Sequence, residues 1–423
     1  MSSLHDHPLR YALANELHAR PFPTVSMPSQ AAYLAMSLDG ESDRSAEWSH
    51  LLDLLDRYGA SHPQPGANHY SGMLGRHQLK WESHTEFVTY TIFDDGVDAE
   101  PFAPNAFSVF PDDWLAAAPG QRVTSALIRV ETVAGDDAIA AAAAKWFVPE
   151  SLAISRVLDD ALVIAADFRI DPAGHMRLAA FPKPDVGPHR VGRVIQRLCE
   201  IETYKTMAML GLAHARGING QLAQVDRTLS GLLSDMAETP AEPPEILAKL
   251  LDVSGQVENL GAQSAYRFAA TGAYAEIVNQ RVDVLREERF KGRQTFGEFM
   301  MRRFDPAMRT VVSTERHLQT LSDRALRAGD LLRTKVDVVR SDQNQALMTR
   351  MDKRAELQLR LQKTVEGLSV VAVSYYAVNI ALYLLGPVEK YFEISKTLLA
   401  AGVTPIILLT VWLFMRRLRL HLV

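Results

Sequence analysis

Two long uncharged segments near the C-terminus constrain the possible folds of this chain more than any other feature. Residues 367–388 and 397–415 contain no Asp, Glu, Lys or Arg. At a rise of about 1.5 Å per residue, each segment is long enough to cross a hydrocarbon core of about 30 Å as a helix. The sequence therefore predicts a two-helix transmembrane hairpin, with two buried core helices as the alternative.

The flanking charges predict the orientation of this hairpin. Residues 389–396, a loop too short to form a folded domain, carry two Lys and two Glu. The basic residues at the other ends are Arg350, Lys353, Arg354, Arg360 and Lys363 before the first segment, and Arg416, Arg417 and Arg419 after the second. Basic residues stay on the cytoplasmic side. We therefore expect both termini, including the basic tail 416–423, to be cytoplasmic and residues 389–396 to lie outside.

Charge and cysteine content exclude several classes of function. Lys and Arg number 45 against 50 Asp and Glu, with no basic block before the apolar segments, so nucleic acid is not an expected partner. The single cysteine, Cys199, excludes an internal disulfide and any multi-cysteine zinc or iron–sulfur site. Cys199 lies in an amphipathic helical pattern, which favours a structural role over a nucleophilic one. The first thirty residues lack the apolar core of a signal peptide, which agrees with a cytoplasmic body.

Residues 1–186 predict a cytoplasmic α+β domain. Residues 1–28 are rich in His, Pro and Arg and indicate an N-terminal arm with a short helix near residues 9–18. Stretches rich in β-branched and aromatic residues, bounded by turn residues, predict strands. The expected strands lie at residues 31–36, 70–82, 86–93, 122–132, 152–158, 161–170 and 175–181, and the expected helices at 46–58 and 138–147.

Residues 187–295 predict a helical domain without strands. Apolar residues at helical spacing indicate one helix from Val191 to Leu212, a second from Leu222 to Leu233 and a third from Pro244 to about Phe290. Small residues crowd the middle of the third helix, which favours close approach of a neighbouring helix over a hinge. They are Gly261, Ala262, Ala265, Ala269, Ala270, Gly272 and Ala273.

Residues 296–366 predict one long stalk helix, interrupted only by Pro306, that continues into the first apolar segment. Apolar residues recur here at steps of seven, with Leu321 and Ala328 between them. The recurring residues are Val311, Leu318, Ala325, Leu332, Val339 and Ala346. This spacing is typical of a coiled-coil seam. We therefore expect a homo-oligomer, with packing against the helices of residues 189–290 as the alternative.

Two stretches of the chain have distinctive sequences. Residues 15–21 are Asn-Glu-Leu-His-Ala-Arg-Pro. Residues 285–289 are Leu-Arg-Glu-Glu-Arg, followed by Gln-Thr-Phe-Gly-Glu-Phe at 294–299 and Arg-Arg-Phe-Asp-Pro-Ala-Met-Arg-Thr at 302–310. These stretches resemble those of a bacterial family of membrane-anchored proteins of unknown function. The resemblance covers essentially the whole chain and implies a membrane-anchored protein, but it carries no activity. With the predicted hairpin, we expect a multi-pass protein of the bacterial inner membrane.

The order of the segments has a more distant resemblance. CorA-like divalent-cation channels, which are pentameric, have the same order of segments. In these channels a cytoplasmic domain is followed by a long helix that enters the first span, a very short outer loop, a second span and a basic tail. This resemblance implies cation transport, by analogy of architecture alone. CorA-like channels carry Gly-Met-Asn at the outer end of the first span, whereas this chain has Gly386-Pro387-Val388. The tripeptide associated with hydrated-magnesium selectivity is thus missing.

The first apolar segment contains candidates for a pore lining. Tyr375, Asn379 and Tyr383 recur every fourth residue and share a helix face, and Gly386 lies near its end. An amide at mid-membrane is costly unless it faces a partner or water. We therefore expect one of two roles for Asn379. Its amide oxygen contacts a hydrated divalent cation, which is the one type of ion that the sequence suggests, or its side chain forms an interhelical hydrogen bond.

The short loop offers candidates for the outer mouth of such a pore. Glu389 and Glu393 are placed to concentrate cations there. Lys390 and Lys396 cancel their net charge. The predicted electrostatic attraction for cations is consequently small.

The N-terminal arm contains polar residues whose role the sequence leaves open. Asn15, Glu16, His18 and Arg20 have the residue types of an anion site or of acid–base chemistry. Together with His5 and His7, His18 has the residue type of a metal ligand. A cap hydrogen-bonded to the domain is the alternative for all of them.

Other signals of chemistry are weak. The chain contains no P-loop, dinucleotide-binding, zinc-protease or nucleophile-elbow motif. The charge-rich residues 281–303 suggest an ion-pair network between protomers or an anion site, with a solvated helix corner as the alternative. We therefore expect no enzyme and no bound cofactor.

Three hypotheses of function follow from these features. The first is an oligomeric CorA-like cation channel in the lipid bilayer, which the stalk, the two spans and Asn379 favour. The second is a membrane-tethered cytoplasmic scaffold or sensor without transport activity. The third, a membrane-bound enzyme that uses residues 15–21, has the least support.

Overall fold

The computed structural model describes residues 5–16, 21–38, 41–238, 243–387 and 395–421. The chain divides into two compact units, Met1–Ala328 and Gly329–Val423, and the boundary falls within one long helix. Each unit is described by itself below.

A mixed nine-stranded sheet forms the centre of the first unit. Its strands are β1 Ser29–Ser37, β2 His69–Leu74, β3 His77–Ser83, β4 Phe87–Asp95, β5 Gln121–Val130, β6 Ala153–Val157, β7 Leu162–Ile170, β8 Met176–Pro182 and β9 Glu288–Arg289. They lie in the order β2-β3-β4-β1-β5-β8-β7-β6-β9. β5 and β8 pair in parallel, and the other neighbours pair antiparallel.

Helices account for most of the remaining chain. They are α1 Arg10–Glu16, α2 Glu41–Arg57, α3 Asp112–Ala116, α4 Asp136–Trp146, α5 Pro188–Glu238, α6 Pro243–Leu285, α7 Phe296–Leu384 and α8 Lys396–His421, with a 3₁₀ helix at Pro104–Val109. The predicted α+β class is thus confirmed. α7 and α8 each contain a stretch that is long and apolar enough to cross a membrane.

β1 shows how the sheet is covered on both faces. Ala31, Tyr33 and Ala35 pack with α5 residues such as Val194 and Leu198. The alternate residues, including Leu34, pack on the other face with α2 and α3. Since successive side chains of a strand point to opposite faces, nearly all of this apolar strand is buried.

Two predictions about strands are wrong in detail. Residues 70–82 form two strands, because the chain turns at Gly75 with a positive φ of 59° and pairs Leu74 with His77. Glycine adopts this left-handed conformation without the steric cost that a side chain would add. The region after residue 188 also contains a strand, since β9 pairs with β6 at the sheet edge.

One helix, α5, replaces the two predicted for residues 189–238. The buried face continues through Leu212, Ala215, Ile218 and Leu222, so helical packing is maintained between the two predicted segments. Gly217, which lies between the two predicted helices, is on the exposed side with open space around it.

The small residues of α6 do not make the close helix contact that was predicted. Ala262, Ala265, Ala269 and Ala273 are exposed. The close approach comes instead from α5, where a Cβ on Gly211 would lie 2.1 Å from Thr271 Oγ1. α5 and α6 therefore pack closely on the opposite side of α6.

The heptad residues at the start of α7 are buried within their own chain. Val311, Leu318 and Ala325 are at most 6 % exposed, and the side chain of Arg324 pairs with Asp226 of α5. Farther along, Val339 is 39 % exposed. The predicted seam between copies is therefore wrong up to Ala328, where the alternative of packing within one chain holds.

A buried carboxylate lies on the other face of the sheet. Glu47 of α2 accepts hydrogen bonds from Trp81 Nε1 at 2.7 Å and from the Tyr90 hydroxyl at 2.8 Å. Burial raises the pKa of Glu47 above its usual 4.5, although both hydrogen bonds oppose this shift. The folded chain therefore holds this proton more tightly than the unfolded chain.

We predict that Glu47 makes stability pH-dependent. Because its pKa is raised in the folded state, its contribution should fall as pH rises above about 4.5. Glu47→Gln, which does not titrate, should gain stability relative to the parent between pH 4 and pH 7. Glu47→Ala should cost about 1–3 kcal/mol by leaving two buried donors unpaired.

The measurement is urea unfolding followed by tryptophan fluorescence, with the exposed Ser49→Ala on the same helix as control. A parent and a Glu47→Gln variant with the same pH dependence would contradict the prediction.

Candidate functional site

The predicted pore-lining residues lie near the C-terminal end of α7. Tyr375 and Tyr383 are exposed, and Asn379 is half-buried. The Asn379 amide nitrogen donates to the Tyr375 carbonyl at 3.1 Å, so the amide oxygen has no partner among the described residues. Gly386 lies two residues after the last residue of α7, Leu384. The predicted mouth residues Glu389 and Glu393 lie outside the described residues.

The N-terminal motif is described only in part. Asn15 and Glu16 end α1, whereas His18 and Arg20 lie outside the described residues. Nearby, His7 Nδ1 accepts a hydrogen bond from the backbone of the same turn, at Leu9. Within the described ranges, no group of three His, Cys, Asp or Glu is arranged to hold a metal ion.

The segment that follows this motif lies against the start of α5. Val25 N donates to the Pro188 carbonyl, and Thr24 Oγ1 lies 3.1 Å from His189 Nδ1. A Cβ on Gly192 would lie 1.8 Å from the Pro23 carbonyl oxygen, so only glycine allows this approach. The arm is thus fixed to the domain from residue 23 onward.

A small cavity lies beside Pro23, between the sheet and α5. We call it the arm cavity; its volume is about 30 Å³, and its lining includes Lys80, Glu82, Gln196 and Glu200. Lys80 Nζ lies 3.1 Å from Glu82 Oε1 and donates to Gln196 Oε1 at 2.6 Å. With its charges paired and room for little more than a water molecule, this cavity is not a site for an organic ligand.

Cys199 also lines the arm cavity. Burial raises the pKa of the Cys199 thiol well above its usual value. A thiol that stays protonated is a poor nucleophile. The structure thus supports the structural role that was predicted from its helical position.

The second distinctive stretch, residues 285–310, joins the sheet edge to α7. Leu285, Phe290 and Phe296 are buried. Glu287 accepts hydrogen bonds from Ser155 Oγ on β6 at 2.5 Å and from the first backbone amides of α7, at Phe296 and Gly297. This stretch therefore has a structural role in the fold.

A capping box begins α7 in the same stretch. Glu298 N donates to Thr295 Oγ1 at 3.1 Å, and Thr295 N donates back to the Glu298 carboxylate. The spacing Thr-x-x-Glu is the sequence signal that predicts this cap. Thr295 and Glu298 have this spacing, so the start of α7 could have been predicted from the sequence.

Several charges of residues 281–303 are paired within the chain. Three ion pairs join this run to α5, to the turn between β6 and β7 and to α4, and a fourth lies within the run: Arg281–Glu200, Arg286–Asp159, Lys291–Asp137 and Arg289–Glu298. Most of these side chains are exposed, as in a solvated corner, and the network between protomers and the anion site stay predictions.

A larger pocket lies on the α2 side of the sheet. We call it the rim pocket and define it by Leu34, Met36, Phe107, Asp112, Arg122 and His175; its volume is about 490 Å³. Pockets of this size bind small organic molecules. Leu34, Met36 and Phe107 make part of its wall apolar.

His175 of the rim pocket is held by contacts on its ring. Its ring stacks on Phe107 with centroids 4.0 Å apart, and Nδ1 lies 2.9 Å from Ser125 Oγ. Burial lowers the pKa of His175, with Arg122 adding to the shift and Asp171 opposing it. The imidazole is therefore neutral at pH 7, with Nε2 free of partners among the described residues.

Sequence reasoning missed the rim pocket. Its residues come from β1, the 3₁₀ helix, α3, β5 and the turn before β8. No spacing along the chain brings such residues together.

One family matches this chain, whereas the curated proteins and solved structures give no match. The family described as "Protein of unknown function (DUF3422)" matches residues 5–422. No curated protein and no solved structure is significantly similar.

We predict that Gly192 is required for docking of the arm. Gly192→Ala should destabilise the chain by about 1–3 kcal/mol, because the new Cβ overlaps the Pro23 carbonyl. Gly217→Ala in the same helix is the matched control, and it should be neutral or stabilising because its surroundings are open.

Urea unfolding and limited proteolysis near residue 23 measure both effects. Equal stability and equal arm cleavage in the two variants would show that the arm does not depend on this contact.

Proposed function

The chain belongs to the DUF3422 family, and we propose that it is a membrane-anchored protein whose cytoplasmic body acts as a scaffold or sensor. The observation that carries this proposal is the exposure of the apolar ends of α7 and α8. Only 6 % and 0 % of their membrane-length stretches are buried. Apolar surface of this extent is covered by a partner in stable proteins, and a bilayer matches its length.

The charges around these helices support a defined orientation. Arg416 and Arg417 follow the apolar part of α8, and basic residues such as Arg360 and Lys363 precede that of α7. Short-looped hairpins keep such residues in the cytoplasm. The proposal therefore places both termini of this multi-pass protein in the cytoplasm of a bacterial cell.

The body supports sensing or scaffolding better than conduction. It has a nine-stranded sheet with helices on both faces, and it contains the rim pocket. The heptad residues up to Ala328 are buried within their own chain, so their spacing no longer supports an oligomeric stalk. A non-catalytic binding role needs none of the missing enzyme motifs.

Topology reporters test this proposal. Alkaline phosphatase fused after Val423 should be inactive, because this reporter matures only outside the cytoplasm, whereas insertion after Ser395 should give activity. A fluorescent protein fused after Val423 is the control for expression and should be bright. Phosphatase activity after Val423, or a full-length chain in the soluble fraction, would contradict the proposal.

A CorA-like cation channel is the second candidate function. It is favoured by one observation, the amide oxygen of Asn379, which has no partner among the described residues and lies on the same helix face as Tyr375 and Tyr383. In an oligomer, a ring of such oxygens could contact a hydrated cation. In the alternative, the same oxygen accepts a hydrogen bond from a neighbouring helix.

We predict that flux, if this second function holds, depends on Asn379. Liposomes containing the parent and a divalent-sensitive dye should respond to Mg²⁺, Co²⁺, Ni²⁺ or Zn²⁺ under an inward-negative potential, and Asn379→Leu should lose most of the response. Thr404→Val in α8 is the matched control, because its hydroxyl bonds only within its helix. No response from the parent to any of the four ions would rule out the channel for them.

A further inference from the structure

We propose that the rim pocket binds a small zwitterion with an apolar body, of which an apolar α-amino acid is the simplest example. The inference adds a ligand class to the sensor proposed above, and it rests on that function but not on the membrane orientation. The observations that carry it are the apolar wall, two separate unpaired charges and one rigid imidazole.

The apolar wall selects for the body of the ligand. Leu34 and Met36 are buried residues of β1 that border the pocket, and the ring of Phe107 stands beside them. A ligand carrying only polar groups would leave this surface without a matching contact. An aliphatic or aromatic side chain buries it favourably.

Two opposite charges border the same pocket without pairing. Arg122 of β5 and Asp112 of α3 are exposed, and neither side chain makes a hydrogen bond or an ion pair with a described residue, so they also lie beyond ion-pair distance of each other. A carboxylate group suits the Arg122 guanidinium, and an ammonium group suits the Asp112 carboxylate. A ligand with both groups pairs both charges.

The exposed Arg122 side chain places its guanidinium close to the backbone of Gly174. A Cβ on Gly174 would lie 2.9 Å from Arg122 Nη2, and Gly174 has a positive φ of 90°. The glycine thus leaves room for the guanidinium beside the turn before β8.

His175 adds a fixed polar atom to the pocket. Stacking on Phe107, the contact with Ser125 Oγ and a backbone hydrogen bond to Asp171 hold the residue in place. Its Nε2 is then the atom available to the ligand. A neutral imidazole adds no charge, and the charges of Arg122 and Asp112 cancel. The pocket therefore has no net charge, which suits a zwitterion.

Simpler ligands fit these observations less well. An apolar anion would pair with Arg122 but would leave Asp112 unpaired, and an apolar amine would do the reverse. Inorganic phosphate has no apolar part to match Leu34 and Met36. A zwitterion with an apolar body is the smallest class that satisfies all of these groups together.

Calorimetry with three related probes tests the proposal. The full chain in lipid nanodiscs is titrated with L-phenylalanine, with phenylacetate, which lacks the ammonium group, and with phenethylamine, which lacks the carboxylate. Empty nanodiscs supply the blank, and L-leucine serves as a second amino acid. L-phenylalanine should bind about tenfold or more tightly than either analogue.

Variants locate the binding. Arg122→Gln should remove the preference for L-phenylalanine over phenethylamine, and Asp112→Asn should remove the preference over phenylacetate. Arg216→Gln, an exposed arginine of α5 without partners among the described residues, is the matched control and should bind as the parent does. Both functional variants change exposed side chains, so they should fold, and an unchanged thermal unfolding curve verifies this.

Three results would overturn the proposal. The first is no binding of L-phenylalanine or L-leucine up to about 10 mM. The second is equal binding of all three probes, which would indicate an apolar pocket only. The third is binding that neither Arg122→Gln nor Asp112→Asn changes, which would place the ligand elsewhere. The topology reporters are independent of all three, so failure of this assignment and failure of the membrane proposal can be told apart.

Discussion

The Glu287 carboxylate connects the sheet to the longest helix of the chain. One of its oxygens accepts from Ser155 Oγ on β6 and from Phe296 N, and the other accepts from Gly297 N at 2.7 Å. Helix N-termini leave backbone amides unpaired, and a carboxylate there both pairs them and suits the helix dipole. The start and direction of α7 are thereby fixed beside the sheet edge. The burial of Phe299, Phe304 and Val311 along its first turns depends on this placement.

Much of the fold could be predicted from local sequence patterns. Residues 31–36 form a buried strand and residues 296–366 form one helix because hydrophobic burial and helical propensity act over short distances. The predictions were wrong where packing against elements that are distant in the sequence determines the structure. Leu318 and Ala325 have coiled-coil spacing, but the spacing does not specify whether the partner is α5 or a second copy. The small residues of α6 likewise do not specify which side faces α5.

The candidate sites also differ in whether a local sequence pattern predicts them. The apolar helices are evident in the sequence because length and composition alone define them. The rim pocket joins Leu34, Asp112, Arg122 and His175 from four parts of the chain, so no local pattern predicts it. The Thr295–Glu298 capping box is an intermediate case, since its spacing is local and its role is clear once the helix start is known.

Hydrogen exchange on the full chain tests the central role of Glu287 most directly. The parent is compared with Glu287→Ala and with Glu288→Ala, the exposed neighbour in β9. Loss of a helix cap costs about 0.5–2 kcal/mol, so the account predicts that peptides covering residues 296–328 exchange several-fold faster in Glu287→Ala only. Unchanged protection of residues 296–328 in Glu287→Ala, or the same loss in Glu288→Ala, would contradict it.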